Sequence, residues 1–259
     1  MMTSPSWNPD QYLRFSDERT RPCRELAAAV SLSAPRRITD LGCGPGNSTA
    51  ALIARWPDAT VVGLDSSEAM IATARKAAPH LTFAVGDIAG WRAIEEQDIV
   101  FSNAALQWVP DHEALYPHLF AQVARGGALA VQVPFNPDAE AHRAMRDVAA
   151  MARFRDRFVA PVRTWHVHPR EFYYDILAPT ASRVDLWATE YMHVVQDAAA
   201  IVEWYRGTGL RPYLDRLDDA AERDAFLREY LARVEQAYAP RPDGRILFPF
   251  RRLFLVAYR

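Results

Sequence analysis

Three glycines at alternate positions, in Asp40-Leu41-Gly42-Cys43-Gly44-Pro45-Gly46-Asn47, close an apolar run that begins at Ile38. No other segment constrains the fold so tightly. Glycine at these positions lets the backbone turn sharply and leaves bare peptide for a ligand to lie against, which a Cβ would block. One helix-length later, Val61-Val62-Gly63-Leu64 ends in Asp65. A strand, a glycine turn, a helix and a second strand ending in an acid form the nucleoside-binding half of a doubly wound sheet. The segment predicts an adenosine-containing cofactor, with Asp65 accepting both ribose hydroxyls.

The next two strands repeat the arrangement. Leu81 to Val85 runs into Gly86-Asp87-Ile88, and Asp98 to Ser102 runs into Asn103. A single acid at a strand end is usually a turn former or helix cap. Four consecutive strands ending in polar groups or a glycine turn instead mark the carboxyl edge, where open α/β sheets bind ligands. A dinucleotide fold asks for G-x-G-x-x-G, whose last glycine lets a helix N-terminus approach a pyrophosphate. Here the sixth position is Asn47 and the glycines fall as G-x-G-x-G. An NAD-dependent oxidoreductase is therefore the disfavoured reading.

The remaining elements follow the same alternation. An amphipathic helix is expected over 11–31, with Pro22 limiting or splitting it. Strand one spans Arg37 to Leu41, and a helix from Asn47 to Trp56 stops at Pro57. Strand two is 60–65, and a helix capped by Ser66 or Ser67 ends at Pro79. Strands three and four are 81–86 and 98–103, a helix lies near 112–124, and Gly126-Gly127 precedes strand five at Ala128 to Pro134. Strands six and seven are read at Val184 to Met192 and Leu253 to Tyr258. Such βαβ alternation demands parallel pairing with right-handed crossovers. The predicted class is α/β, a doubly wound, seven-stranded, mostly parallel sheet with a helical cap. The long intervals 135–182 and 193–251 supply that cap over the cofactor crevice, since a compact domain does not carry structureless loops of that length. Phe226, Tyr230 and Val234 share one face at helical spacing.

Composition narrows the partners. A formal net charge of −2 leaves no basic footprint for nucleic acid. No apolar run approaches the ~20 residues of a membrane span, and the N-terminus lacks the pattern of an export signal. A cytoplasmic monomer acting on a small molecule is expected. Two cysteines, Cys23 and Cys43, imply no disulfide framework. Lys76 is the single lysine among 30 basic side chains, so an anionic substrate must be held by arginine, whose planar fork pairs carboxylates bidentately. His166-Val167-His168 lacks a nearby third ligand, and no metal is expected.

The glycine pattern preceded by Asp40 resembles motif I of the class I methyltransferases that use S-adenosylmethionine. A wider resemblance, to the trans-aconitate 2-methyltransferase family, covers nearly the whole chain. It is carried by Trp7-Asn8-Pro9, Tyr12-Leu13, Arg21-Pro22, Gln107-Trp108, Pro110-Asp111-His112, Tyr173-Tyr174-Asp175-Ile176-Leu177 and Thr208-Gly209-Leu210-Arg211-Pro212. The resemblance implies one methyltransferase domain over 1–259, with cofactor contacts from Asp40, Gly42, Gly44, Gly46, Asp65, Ser66, Met70, Asp87, Ile88, Asn103 and Trp108. In that family an acid at the Asp87 position takes the adenine amine, and the next apolar residue packs on the ring.

The implied reaction is in-line methyl transfer to a carboxylate of trans-aconitate, giving a monomethyl ester. A carboxylate titrates near ~4 and is already ionised at neutral pH, so no catalytic base is expected. Methylating an amine or phenol would favour one. Substrate carboxylates are expected at Arg211, with Tyr12, Arg21, Tyr174 and Arg252 as further candidates. The alternative on the same fold is a small-molecule N- or C-methyltransferase. A nucleic-acid base methyltransferase would carry an N/D-P-P-Y/F motif after strand four, where this chain reads Asn103-Ala104-Ala105-Leu106.

Overall fold

The computed structural model describes residues 16–136, 138–162 and 165–259. These begin with α1 (Ser16–Ala29), which carries Pro22 inside it, and β1 (Arg37–Leu41). Then follow α2 (Asn47–Arg55), β2 (Thr60–Asp65), α3 (Glu68–Ala77), β3 (Thr82–Val85) and β4 (Gln97–Asn103). A 3-10 turn (Leu106–Trp108), α4 (His112–Phe120) and β5 (Val123–Pro134) come next. The chain continues through α5 (Glu140–Ala149), α6 (Arg170–Leu177), β6 (Arg183–Val195), α7 (Ala198–Arg206), α8 (Arg211–Leu214), α9 (Ala220–Ala237) and β7 (Ile246–Tyr258).

The strands form one seven-stranded sheet in the order β3-β2-β1-β4-β5-β7-β6. Pairing is parallel from β3 through β5 and antiparallel between β5 and β7. The doubly wound, mostly parallel reading holds. After β1 the chain moves outward through β2 and β3, then returns to place β4 on the other flank of β1. That reversal opens a crevice at the carboxyl ends of β1 and β4. Central strands are buried on both faces, as parallel strands covered by helices must be; four of the five β1 residues are buried.

Residues group into two compact units. Of the described residues, the first comprises 16–135, 165–189 and 252–259. Its core gathers Leu41, Val100, Leu129 and Val131 from the sheet with Leu115, Leu119, Tyr173 and Leu177 from helices. Residues 165–182, assigned to the cap from sequence, thus pack with the sheet unit, because Tyr173 and Leu177 are core side chains. The second unit comprises 136, 138–162 and 190–251 of the described residues. There Phe226, Tyr230 and Val234 of α9 are all fully buried, as their spacing required. Trp204 of α7 meets Phe248 and Phe250 of β7 at 5.9 and 5.6 Å.

Two strand starts differ from expectation. β5 begins at Val123, and Gly126-Gly127 lies within it as a register break, Gln97 pairing Val123 and Ile99 pairing Ala128. Gly126 has φ of 78°, and a Cβ on Gly127 would stand 2.6 Å from the Asp98 carbonyl. The pair marks a bulge rather than a preceding turn. β7 begins at Ile246, not Leu253. Pro249 and Arg251-Arg252 interrupt its apolar run, yet Ile246, Phe248, Phe250 and Arg252 are buried on alternate positions. The ladder with β5 ends at Arg252, so Pro249 lies beyond the stretch that ladder needs as a donor.

One buried polar chain fixes the turn after β4. His112 is fully buried, its Nε2 lies 2.9 Å from the Leu106 carbonyl, and its Nδ1 lies 2.9 Å from the Tyr173 hydroxyl. A carbonyl only accepts, so Nε2 carries the proton and Tyr173 donates to Nδ1. Tyr173 in turn accepts from the His168 amide at 3.1 Å. Burial holds the His112 pKa below 6.5. The stability this network contributes is therefore present above pH 6.5 and lost as pH falls through the lowered value. Tyr173→Phe leaves His112 Nδ1 and the His168 amide unmatched and should cost about 1–3 kcal/mol, read by urea denaturation at pH 7.5.

Candidate functional site

The glycine turn is held from two sides. From β2, the Leu64 carbonyl accepts from the amides of Gly42 and Cys43 at 2.7 and 3.0 Å, and Asp65 Oδ2 accepts from the Gly44 amide at 2.9 Å. From β1, Asp40 Oδ2 accepts from the hydroxyls of Ser48 and Thr49 at 2.6 and 2.7 Å, clamping the start of α2. Gly42, Gly44 and Gly46 adopt φ of 76°, 55° and 95°, the left-handed region where a side chain is strained. Their surroundings separate their roles. A Cβ on Gly42 would stand 2.1 Å from the Ala105 Cβ, whereas one on Gly44 would meet nothing within 4 Å. Gly42 is a packing requirement; Gly44 faces open space.

A small cleft beside the turn is lined by Thr20, Cys23, Gly42, Cys43, Pro45, Asn47, Ser48 and Asn103. Two buried acceptors in this region, Asp40 Oδ1 and Asn103 Oδ1, have no hydrogen-bond partner. Buried polar atoms are normally paired, so both oxygens can take donors from a ligand. Complete burial pushes the Asp40 pKa up to about 6, against the lowering effect of the Ser48 and Thr49 hydroxyls. Burial also raises Asp65, opposed by the Ser67 and Gly44 amides. Cys23 and Cys43 are free thiols pushed well up by burial and the Asp40 carboxylate, so neither is a thiolate nucleophile at neutral pH.

Other expected residues fall as follows. Asp65 Oδ1 accepts from the Ser67 amide, so the acid also serves as the turn former a bland reading would assign it. Ser67, not Ser66, caps α3, accepting from the Met70 amide at 3.3 Å; Ser66 is exposed and Met70 buried. Asp87 is exposed and accepts from the Ala89 amide, while Ile88 is buried, its Cδ1 3.5 Å from where a Gly42 Cβ would stand. Trp108 packs edge-on against Trp165, centroids 6.2 Å apart. His168 stacks on Phe172 at 4.1 Å.

The substrate candidates do not form one cluster in the sheet unit. Tyr12 lies outside the described residues. Arg21 is exposed on α1 and pairs with Glu25 at 2.8 Å. Tyr174 is half-exposed on α6, whereas its neighbour Tyr173 is core. Arg211 belongs to the second unit, where it pairs with Asp215 at 3.5 Å. Arg252 alone is fully buried in the sheet unit, and its Nη1 donates to Gln132 Oε1 at 3.3 Å. Sequence reasoning missed Gln132, although one amide inside the apolar run from Ala128 to Val133 was a visible signal. It also missed the roles of Ser48 and Thr49, hydroxyls in the first turn of α2, eight and nine residues after the acid they serve.

The sign of the Asp40 shift gives a test. Its folded pKa of about 6 exceeds the ordinary 3.8, so folding favours the protonated form. The associated stability is present below pH 3.8 and lost as pH rises through 6. The shift corresponds to about 3 kcal/mol. Asp40→Asn keeps an acceptor for both hydroxyls and removes the titration. The stability difference between variant and wild type, from denaturation at pH 4 and pH 8, should shift by up to about 3 kcal/mol in the variant's favour at pH 8.

Residues 38–127 match the family described as a methyltransferase domain. A trans-aconitate 2-methyltransferase from Variovorax paradoxus is 52% identical over 98% of both chains. One from Methylobacterium radiotolerans is 51% identical over 97% of both. Among solved structures, an S-adenosylmethionine-dependent methyltransferase from Thiobacillus denitrificans, in complex with S-adenosylhomocysteine, superposes with a TM-score of 0.53. It is 20% identical, over 92% of this chain and 91% of that one, a likeness of fold.

Proposed function

The chain belongs to the trans-aconitate 2-methyltransferase family, and from that premise we propose that it methylates a carboxylate of trans-aconitate, using S-adenosylmethionine. The full-length likeness to enzymes of that name carries the reading. The residues of the cleft suit the cofactor. Gly44 offers bare peptide with open space beside it. The Asp65 carboxylate has four lone-pair positions and uses two on the Gly44 and Ser67 amides, leaving capacity for a ribose diol. Asn103 Oδ1 and Asp40 Oδ1 are acceptors, suited to a cationic ligand rich in donors.

S-adenosylmethionine supplies a sulfonium-bound methyl group, already activated for displacement. The work left to the protein is alignment and exclusion of water. Gly42, Gly44 and Gly46 would shape the seat, Asp65 would orient the ribose, and Asp87 and Ile88 would border the adenine. The 3-10 turn carrying Trp108 is anchored through Leu106 to His112 and would shield the reacting end. The nucleophile is a carboxylate ionised at neutral pH, so the reaction needs no residue to remove a proton. The raised thiol pKa values of Cys23 and Cys43 keep the nearest soft nucleophiles from competing for the methyl group.

Transfer of radiolabelled methyl to trans-aconitate, but not to amines or phenols, is expected from the purified chain. Label on amines with none on any polycarboxylate would overturn the ester reading. Asp65→Ala should weaken S-adenosylhomocysteine binding about 100-fold by calorimetry, the loss of about 3 kcal/mol of charged hydrogen bonding. Gly42→Ala should instead lower the melting temperature, because its Cβ overlaps Ala105.

A further inference from the structure

Backbone strain marks two places where no glycine relieves it. Among the described residues, only Ala104 and Asp111 combine a side chain with positive φ, at 55° and 56°. Such conformations persist where the surroundings over-determine them, and they cluster at ligand sites and switches. These two bracket the link from β4 to α4, which includes the 3-10 turn. Both ends of the first hinge touch the site. Asn103, just before Ala104, lines the cleft. Ala105, just after it, presses on the glycine turn, since a Cβ on Gly42 would stand 2.1 Å from its own.

Hydrogen bonds from neighbouring elements hold the bracketed segment down. His112 Nε2 donates to the Leu106 carbonyl at 2.9 Å, and the His166 amide donates to the Gln107 carbonyl at 2.8 Å. Both donors belong to one packed cluster. Tyr173 donates to His112 Nδ1 and accepts from the His168 amide, tying α6 and residues 166–168 to the same imidazole. Facing that ring are Tyr116 of α4 at 5.0 Å, His168 at 5.6 Å and Tyr173 at 5.8 Å. His166 also acts on its charge. None of these is a carboxylate that could balance a positive imidazole. Asp111 and Glu113, its neighbours in sequence, are exposed, and Asp111 accepts from the Ala114 amide as the cap of α4.

We propose that His112 is a positioning residue: through Leu106 it latches the strained segment 104–111 against the glycine turn, and its protonation releases the latch. The inference rests on the proposed cofactor site, which that segment borders. A protonated Nδ1 cannot accept, so the Tyr173 hydroxyl loses its acceptor while a charge arises in a buried site beside two further histidines. Burial already holds the His112 pKa below 6.5, and His168 and His166 push the same way. The bonded arrangement is therefore complete above pH 6.5 and lost as pH falls through the lowered value. Relief of strain at Ala104 and Asp111 then favours departure from the seat.

Amide hydrogen exchange reads the latch without any cofactor. His112→Phe keeps a ring and removes the donor; His112→Gln places an Nε2 donor toward Leu106 and does not titrate. The Trp108 and Val109 amides, bonded to the Ala105 and Leu106 carbonyls, report on the turn. At pH 7.5 they should lose protection about 10-fold in His112→Phe, with β1 and β4 unchanged, and His112→Gln should restore it. At pH 5 the wild type should show the same loss and His112→Gln should not. Full protection in His112→Phe, or an equal loss across β1 and β4, would overturn the proposal. Calorimetry reads the coupling: between pH 7.5 and pH 5, S-adenosylhomocysteine affinity should fall about 10-fold further in the wild type than in His112→Gln. Asp40 and Asp65 are common to both proteins, so the difference isolates His112. Matching pH dependences would sink the coupling and the proposal with it. If exchange behaves as expected but neither protein binds S-adenosylhomocysteine at any pH, the latch stands and the proposed cofactor falls.

Discussion

The 2.9 Å hydrogen bond from the Gly44 amide to Asp65 Oδ2 joins the turn after β1 to the end of β2, and the site depends on it. Three left-handed glycines in five residues would not hold one conformation by their own preferences, since glycine loses more freedom on ordering than any other residue. The loop is ordered because acids grip it from opposite sides. Asp65 fixes its middle, and Asp40 fixes the helix that follows it through Ser48 and Thr49. Both carboxylates are largely removed from water, which raises their pKa values against the hydrogen bonds that lower them.

Arginines among the described residues differ sharply in setting. Arg21, Arg143, Arg206 and Arg233 pair with a carboxylate three or four residues away on their own helices. Such exposed pairs contribute about 0–1 kcal/mol each and are screened by salt. Arg252 stands in the interior against a neutral amide. A buried guanidinium carries a large desolvation cost and persists only with strong partners. Composition reveals the shortage of lysine but not this division, because burial is set by where a strand begins.

What the sequence made legible was local. The glycine turn, the acids at strand ends and the face of α9 at Phe226, Tyr230 and Val234 depend on spacings of a few residues, and periodicity reports those. What stayed illegible depended on pairing between distant strands. The Gly126-Gly127 irregularity read as lying ahead of the strand because only its partner, β4, reveals four residues, 124–127, opposite the single Asp98. The start of β7 at Ile246 was not visible because the tolerance of Pro249 within it follows from where the β5 ladder stops. Tyr173 and Tyr174 are neighbours of one type, and only the packed helix tells that the first is core and the second surface. Arg252 stands just before the last expected strand and Gln132 is a visible amide in an apolar run, but that the two pair could not be found without the β5–β7 register.

The polarity of the sheet edge bears on why this reaction needs so little machinery. On the proposed reading, a sulfonium cation approaches a carboxylate anion, and methyl transfer cancels both charges. Water stabilises the separated ions more than a transition state in which charge is disappearing, so removing water favours transfer. A protein has to keep two opposite charges apart from solvent without neutralising either beforehand. The unmatched acceptors Asp40 Oδ1 and Asn103 Oδ1 at the glycine turn would suit the cation on that reading. A general acid or base would add nothing to that step, since no proton moves.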